Sequence, residues 1–328
     1  LGPALGCLSA AALLAFIIII TTQLLARRRV QDGRGRAVLV TGCDSGFGQQ
    51  LALRLDREGF VVFAGCLCPE GPGARSLAQQ SSSSLKLLRL DVTSDADVEQ
   101  VKAAVLQHLP EKGLWAVVNN AGISQWAEIE WSSVQDFSHM VDVNLLGAVR
   151  TTLAFLPLVR ASRGRVVYTS SIFSFFTCLN MAAYSVSKRG LEAFADCLRV
   201  EMASFGVKVS IIQPGNFGRA TGILKTMTGS DIWEKLDKEK QQVFNRRYIG
   251  LASRYFASAC SRGFETPDVV TEAMLHAITS PRPKARYLLV AAGERPFFQL
   301  LPFLPTFLTD RIFSFSHMYA KRKEMLYS

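Results

Sequence analysis

The sequence lacks a CxxC pair, a Lys/Arg run interleaved with aromatics, and any internal repeat at the periods of about 20–50 residues that mark solenoids. Its 7 cysteines (Cys7, Cys43, Cys66, Cys68, Cys178, Cys197, Cys260) are scattered and odd in number. A disulfide framework is therefore not expected, and a reducing compartment is. The 4 histidines, His108, His139, His276 and His317, lie too far apart to read as a metal site. Charge is also scarce, at 20% against 49% hydrophobic residues. That balance excludes a disordered tail, a collagen and a coiled coil. A mean hydropathy of +0.19 is high for a freely soluble chain and directs attention to membrane-facing segments.

What charge there is has one dominant sign. Lys and Arg number 37 against 27 Asp and Glu, a net +10. Without an aromatic-interleaved basic run, no nucleic-acid partner is expected, and an anionic membrane surface fits the excess. Residues 1–26 carry no charge, and Ala10–Thr22 is the most apolar run of the 328 residues. A bilayer span takes about 20 such residues. Arg27, Arg28 and Arg29 follow at once, which predicts a membrane anchor with the rest of the chain on the cytosolic side. A cleaved signal peptide is the rival, but it needs its positive charge before the apolar stretch. The chain begins with Leu, which leaves room for residues upstream.

From Arg34 the pattern alternates. Apolar strands are expected at 37–40, 60–67, 85–90, 115–118, 165–170 and 207–212, with helices at about 46–58, 94–108, 133–160 and 184–204. Near-continuous apolar strands separated by amphipathic helices predict a parallel sheet covered on both faces. Beyond Pro214 the pattern loosens, and about 216–262 reads as a helical substrate lid. Tyr287–Phe315 is apolar and aromatic but broken by prolines, so it reads as a membrane-docking or pocket-capping flap, or as an ordinary buried segment.

Between the first strand and first helix lies Thr41-Gly-Cys-Asp-Ser-Gly-Phe-Gly48. Gly42, Gly46 and Gly48 permit a tight turn and close backbone approach, with Ser45 and Phe47 between them, and the helix N-terminus offers free N–H groups to a pyrophosphate. The second strand ends in Gly65, Cys66 and Leu67, with neither an acid for a ribose hydroxyl nor a cation for a 2′-phosphate. The missing cation favours NAD over NADP. Tyr184 and Lys188 stand one helical turn apart, where an ammonium can lower a phenol's pKa. The same spacing recurs at Tyr319 and Lys323 without a strand, loop or serine beside it. Ser171, ending a strand upstream of Tyr184, can bring a hydroxyl to the same substrate oxygen.

These motifs in order, TGCDSGFG (41–48), Asp91, NNAG (119–122), Asn144 in VNLLG, Ser171 with YSVSK (184–188), and Pro214-Gly215, make the sequence resemble the short-chain dehydrogenase/reductase family from about Arg36 to Tyr287. The resemblance implies a single doubly wound, Rossmann-type α/β domain. It implies Tyr184 as general acid/base, Lys188 on the nicotinamide ribose, Ser171 on the substrate oxygen and Asn144 in a proton relay. Asp91 would meet the adenine, and Asn119, Asn120, Ala121 and Gly122 would line the cofactor cleft with Pro214 and Gly215. Relatives form dimers or tetramers through the helices holding Asn144 and Tyr184, which implies a homo-oligomer.

VFAGCL, GLWAVVNNAG and EAFADCLR resemble the subgroup of retinol dehydrogenases, oxidative hydroxysteroid dehydrogenases and D-3-hydroxybutyrate dehydrogenase. Where retinol-type members carry a threonine after the PG pair, this chain has Arg219, a candidate partner for an acidic substrate or a solvated surface residue. Phe173, Phe175 and Phe176 should wall the substrate pocket and favour an apolar ligand, or fill core. Trp126 and Trp131 read as core or lid packing.

The expected organisation is an anchor with its basic flank at 1–29, a dehydrogenase domain at 30–290, and a flap with a basic tail at 291–328. The expected activity is hydride exchange between NAD and a secondary or lipophilic alcohol, a steroid or retinoid by preference and D-3-hydroxybutyrate as runner-up. A catalytically idle NAD-binding membrane scaffold is a remote third. Membrane lipid is an expected partner. The endoplasmic reticulum, catalytic domain facing the cytosol, is the expected location, with the mitochondrial inner membrane as alternative.

Overall fold

In the computed structural model the described residues are 32–176, 178–223, 228–314 and Arg322. The proposed anchor and the Tyr319/Lys323 pair lie outside them. Seven strands form one sheet in the order β3-β2-β1-β4-β5-β6-β7, every pair parallel. They are β1 (Ala37–Thr41), β2 (Val61–Cys66), β3 (Leu85–Arg89), β4 (Leu114–Asn119), β5 (Arg165–Thr169), β6 (Lys208–Pro214) and β7 (Arg286–Leu289). Two apolar cores result because successive strand residues face opposite ways. Val38 and Val40 of β1 join the core under α1 (Gly46–Arg57) and α10 (Asp268–Thr279). Ala37 and Leu39 join the other, under α3 (Asp95–Gln107), α5 (Gly147–Ala161) and α6 (Ala182–Glu201). Phe155 of α5 is fully buried there, and truncating it to Ala would cost about 3–5 kcal/mol.

Three features depart from the residue pattern. The chain forms a further short helix, α2 (Pro72–Gln80), and β7 adds an edge strand inside the stretch expected to open the apolar flap. The expected helix at 133–160 is two helices, α4 (Val134–Val141) and α5, joined by a turn of π-helix at Asp142–Leu146. This Val134–Ala161 stretch is the one described helix long and apolar enough to cross a membrane. Its Phe155 and Val159 lie in the sheet's core, so it is a core helix. After β6 come α7 (Gly229–Lys235), α8 (Lys238–Val243) and α9 (Arg246–Cys260), and after β7 come α11 (Arg295–Leu300) and α12 (Thr306–Ser314).

Candidate active site

Strand order reverses between β1 and β4, and in doubly wound sheets ligands bind outside the carboxyl ends of strands at that point. The glycine loop sits there. Gly42 has φ +70, and a Cβ on it would stand 2.8 Å from the Ala121 Cα. A Cβ on Gly48 would meet the Gly42 carbonyl oxygen at 2.3 Å and Asn120 Nδ2 at 2.6 Å. The α1 N-terminus has no side-chain cap from Ser45 and no acid in its first turn, so its leading N–H groups are left for an anion. Thr41 Oγ1 accepts from the amides of Asn120 (3.0 Å) and Ala121 (2.9 Å), tying β1 to the chain after β4. These features fit the diphosphate of a dinucleotide.

One cofactor-side residue was not found from the sequence. Asp44, inside the glycine loop, reaches the end of β2, where its carboxylate accepts from Leu67 N (2.9 Å) and Cys68 N (2.8 Å). The end of β2 has no acid of its own, and the loop brings one there. The only signal was an acid within the glycine motif itself. Asp91 accepts from the Thr93 hydroxyl (2.7 Å) and amide (2.9 Å), which hold its carboxyl below the usual range. Of the NNAG residues, Asn120 faces the loop through Thr41 and Gly42. Asn119 instead turns its buried side chain to Thr152 on α5 (3.1 Å), away from the cleft. Pro214 ends β6, and Gly215 packs under Val290.

The structure brings Ser171, Tyr184, Lys188 and Asn144 together, all buried. Tyr184 and Lys188 share one face of α6, with the ammonium 5.6 Å from the phenol ring centroid. Lys188 Nζ donates to the Thr169 carbonyl at 2.8 Å, and burial brings its pKa from 10.5 down to about 8, opposed by the charge of Glu192. Burial pushes the Tyr184 phenol up to about 12, against a hydrogen bond with Ser171. Helical spacing alone predicts that the ammonium dominates the phenol; in this arrangement desolvation does. The π-turn sets Asn144, whose Oδ1 accepts from Ile123 N (2.8 Å) and whose Nδ2 donates to Ile123 O (2.9 Å) and Ser187 Oγ (3.0 Å). A Cβ on Gly122 would lie 3.1 Å from Asn144 Oδ1 and 3.5 Å from Lys188 Nζ, so the NNAG turn closes over both.

The side chains packed around Tyr184 are apolar. Phe173 meets its ring edge-on at 6.1 Å, Phe176 lies 6.0 Å from Phe173, and Phe298 of α11 lies 5.4 Å from Phe176. Trp126 stacks on Phe256 of α9 at 4.9 Å, and Trp131 packs edge-on against Phe244 and Tyr248. Buried Glu128 accepts from the Tyr248 hydroxyl and pairs with Arg322 at 2.8 Å, tying Arg322 to α9. Arg219 stands apart: it is half-exposed and paired with Glu265 at 2.6 Å.

Residues 36–229 match the family model for short chain dehydrogenases, and the chain belongs to that family. It is an oxidoreductase that interconverts an alcohol and a carbonyl with a nicotinamide cofactor. It is similar to the mitochondrial D-beta-hydroxybutyrate dehydrogenase of Bos taurus, 38% identical with 85% of this chain and 83% of that one covered. It is 39% identical to retinol dehydrogenase 16 of Mus musculus, covering 87% and 90%. It is 38% identical to human 17-beta-hydroxysteroid dehydrogenase type 6, covering 87% and 90%. The crystal structure of a short-chain dehydrogenase from Streptomyces avermitilis shares the fold, with a TM-score of 0.66 at 23% identity over 89% of this chain and 97% of that one.

Proposed function

We propose that this chain is an NAD-linked dehydrogenase of a lipophilic alcohol, a steroid or retinoid, working at a membrane surface. The observation that carries the substrate class is the wall over Tyr184. Trp126, Met181 and Ile232 share the apolar cluster of Tyr184, Phe173 packs against it with Phe176 beside Phe173, and the carboxylate of Glu128 is paired with Arg322. An apolar wall favours an apolar ligand through the area it removes from water. Arg219, the sequence-based partner for a small hydroxy acid, is already paired with Glu265. Near-equal identity to the hydroxybutyrate, retinol and steroid enzymes keeps D-3-hydroxybutyrate as the second reading.

In this reading Tyr184 takes the hydroxyl proton of the alcohol, and Ser171 fixes the substrate oxygen by a second hydrogen bond. Lys188 binds the nicotinamide ribose, and its positive charge works against the burial that disfavours the phenolate. Asn144 holds the π-turn and the NNAG turn in register. A bound nicotinamide supplies the hydride acceptor. Asp44 carries the preference for NAD, since a fixed carboxylate at the end of β2 repels a 2′-phosphate.

The lid we propose lies within the 216–262 stretch, whose Ile232, Tyr248 and Ile249 join the cluster of Tyr184. The segment from 295 is a two-sided flap: Phe298 and Leu301 pack on Ile172, Phe175 and Phe176, while Phe303 (82% exposed) and Phe307 (69%) face out. Such an outer face, with the Ala10–Thr22 run, supports membrane seating; the location we propose for it is the endoplasmic reticulum, catalytic domain facing the cytosol, from the arginines that follow the run. Exposed Leu153 on α5 and Val186 on α6 support a homo-oligomer through those helices. Reduction of NAD or NADP by the full chain in membranes, against estradiol, retinol and 3-hydroxybutyrate, tests the reading. Turnover of estradiol or retinol with NAD is expected, and is to be lost in Tyr184→Phe. Turnover of the hydroxy acid alone would overturn the substrate assignment.

A further inference from the structure

Glu192 lies one helical turn beyond Lys188 on α6 and is buried, yet no step above uses it. Its Oε1 receives Ser170 Oγ at 2.7 Å, Ser174 Oγ at 2.6 Å and Gln213 Nε2 at 2.9 Å. Arg286 of β7 stands 3.6 Å from Oε2. A buried acid is tolerated only when several donors replace its lost water, and this one has them. The donors are not scattered. Ser170 and Ser174 bracket Ser171, and Gln213 immediately precedes Pro214 at the cofactor cleft.

We propose that Glu192 is a positioning residue of this active site: its carboxylate clamps the ends of β5 and β6 onto α6, fixing Ser171, and its charge keeps Lys188 cationic. The inference deepens the function proposed above and rests on the roles given there to Ser171, Tyr184 and Lys188. The charged groups facing Glu192 are Lys188 on its own helix and Arg286 from β7. Arg286 is shared with Asp196 at 2.5 Å, and Arg189 donates to the Ser174 carbonyl at 2.9 Å. Among them Lys188 is the buried one with a single other partner, the Thr169 carbonyl. Burial disfavours its charge, and the carboxylate one turn away opposes that effect.

The test compares Glu192→Gln, Glu192→Asp and Arg286→Met with the full-length wild type, reading kcat, KM and the pH profile of alcohol oxidation. Removing a negative charge eases proton loss from the Tyr184–Lys188 pair but favours neutral lysine over phenolate. Glu192→Gln should therefore lower the plateau kcat about tenfold, leave the alcohol KM near wild type, and move the rising limb down by roughly half to one pH unit. Glu192→Asp keeps the charge, so its limb should stay in place although kcat falls. Arg286→Met removes a positive charge, so its limb should move up. A folded Glu192→Gln enzyme with wild-type kcat and limb overturns the proposal. If that variant does not fold, an unmoved limb in Arg286→Met overturns it. Tyr184→Phe with wild-type turnover overturns the site reading itself, an outcome separate from either.

Discussion

Replacing Lys188 with Met should make the protein more stable and nearly inactive at once. The ammonium is buried and its pKa falls from 10.5 to about 8, a penalty of about 3 kcal/mol for keeping it charged in the fold. Met fills a similar volume without charge. It also leaves the Thr169 carbonyl without its donor, a loss of about 1–2 kcal/mol. The balance is about 1–2 kcal/mol in favour of the variant at pH 7, or roughly 2–6 °C in Tm. The gain has a pH signature. Because the folded-state pKa is depressed, the penalty is complete below pH 8 and is gone above the unfolded value near 10.5. The variant's advantage should therefore shrink between pH 8 and 10.5. Turnover should fall about 10²–10⁴-fold, since the phenol at about 12 then has no cation to favour its anion. Thermal unfolding of both proteins in detergent across that range, alongside turnover, is the assay. A Met variant less stable at pH 7, or one whose advantage ignores pH, would refute the reasoning.

Asp44→Asn keeps an acceptor for one β2 amide but removes the charge, so the preference for NAD over NADP in kcat/KM should drop about tenfold; an unchanged ratio would remove Asp44 from cofactor selection. Arg322→Met leaves Glu128 with only the Tyr248 hydroxyl in a buried setting. With Arg322 itself partly exposed, the loss should be about 1–3 kcal/mol, read as a lower Tm and a raised KM for a lipophilic alcohol. The double change Phe303→Glu and Phe307→Glu should weaken turnover of membrane-dissolved retinol while sparing a short water-soluble alcohol; equal effects on both would argue against the flap as a lipid-facing surface.

The residue pattern of this chain was enough for a parallel sheet with helices on both faces, because each strand is a near-continuous apolar run and its alternate residues must enter two different cores. It was also enough for Tyr184 and Lys188 on one helix face and for the glycine loop at a helix start, since those are local spacings. Edge strand β7 and helix α2 were not legible. The Arg286–Leu289 strand is short, and what makes it a strand is its pairing with the open edge of β6. Nothing in Asp142–Leu146 marks a π-turn either; it exists because Asn144 is held from both sides, by Ile123 and by Ser187.

Contacts across the chain decided the rest. Asp44 reads the end of β2 only because β1 and β2 lie side by side, and Glu192 meets Ser170, Ser174 and Gln213 only where β5, β6 and α6 converge. The opposing pulls on Tyr184 and Lys188 likewise depend on how deeply the fold buries them. Spacing along a helix is set by the backbone and survives in the sequence. Desolvation and long-range hydrogen bonds are properties of packing, and they arise only when distant segments share one interior.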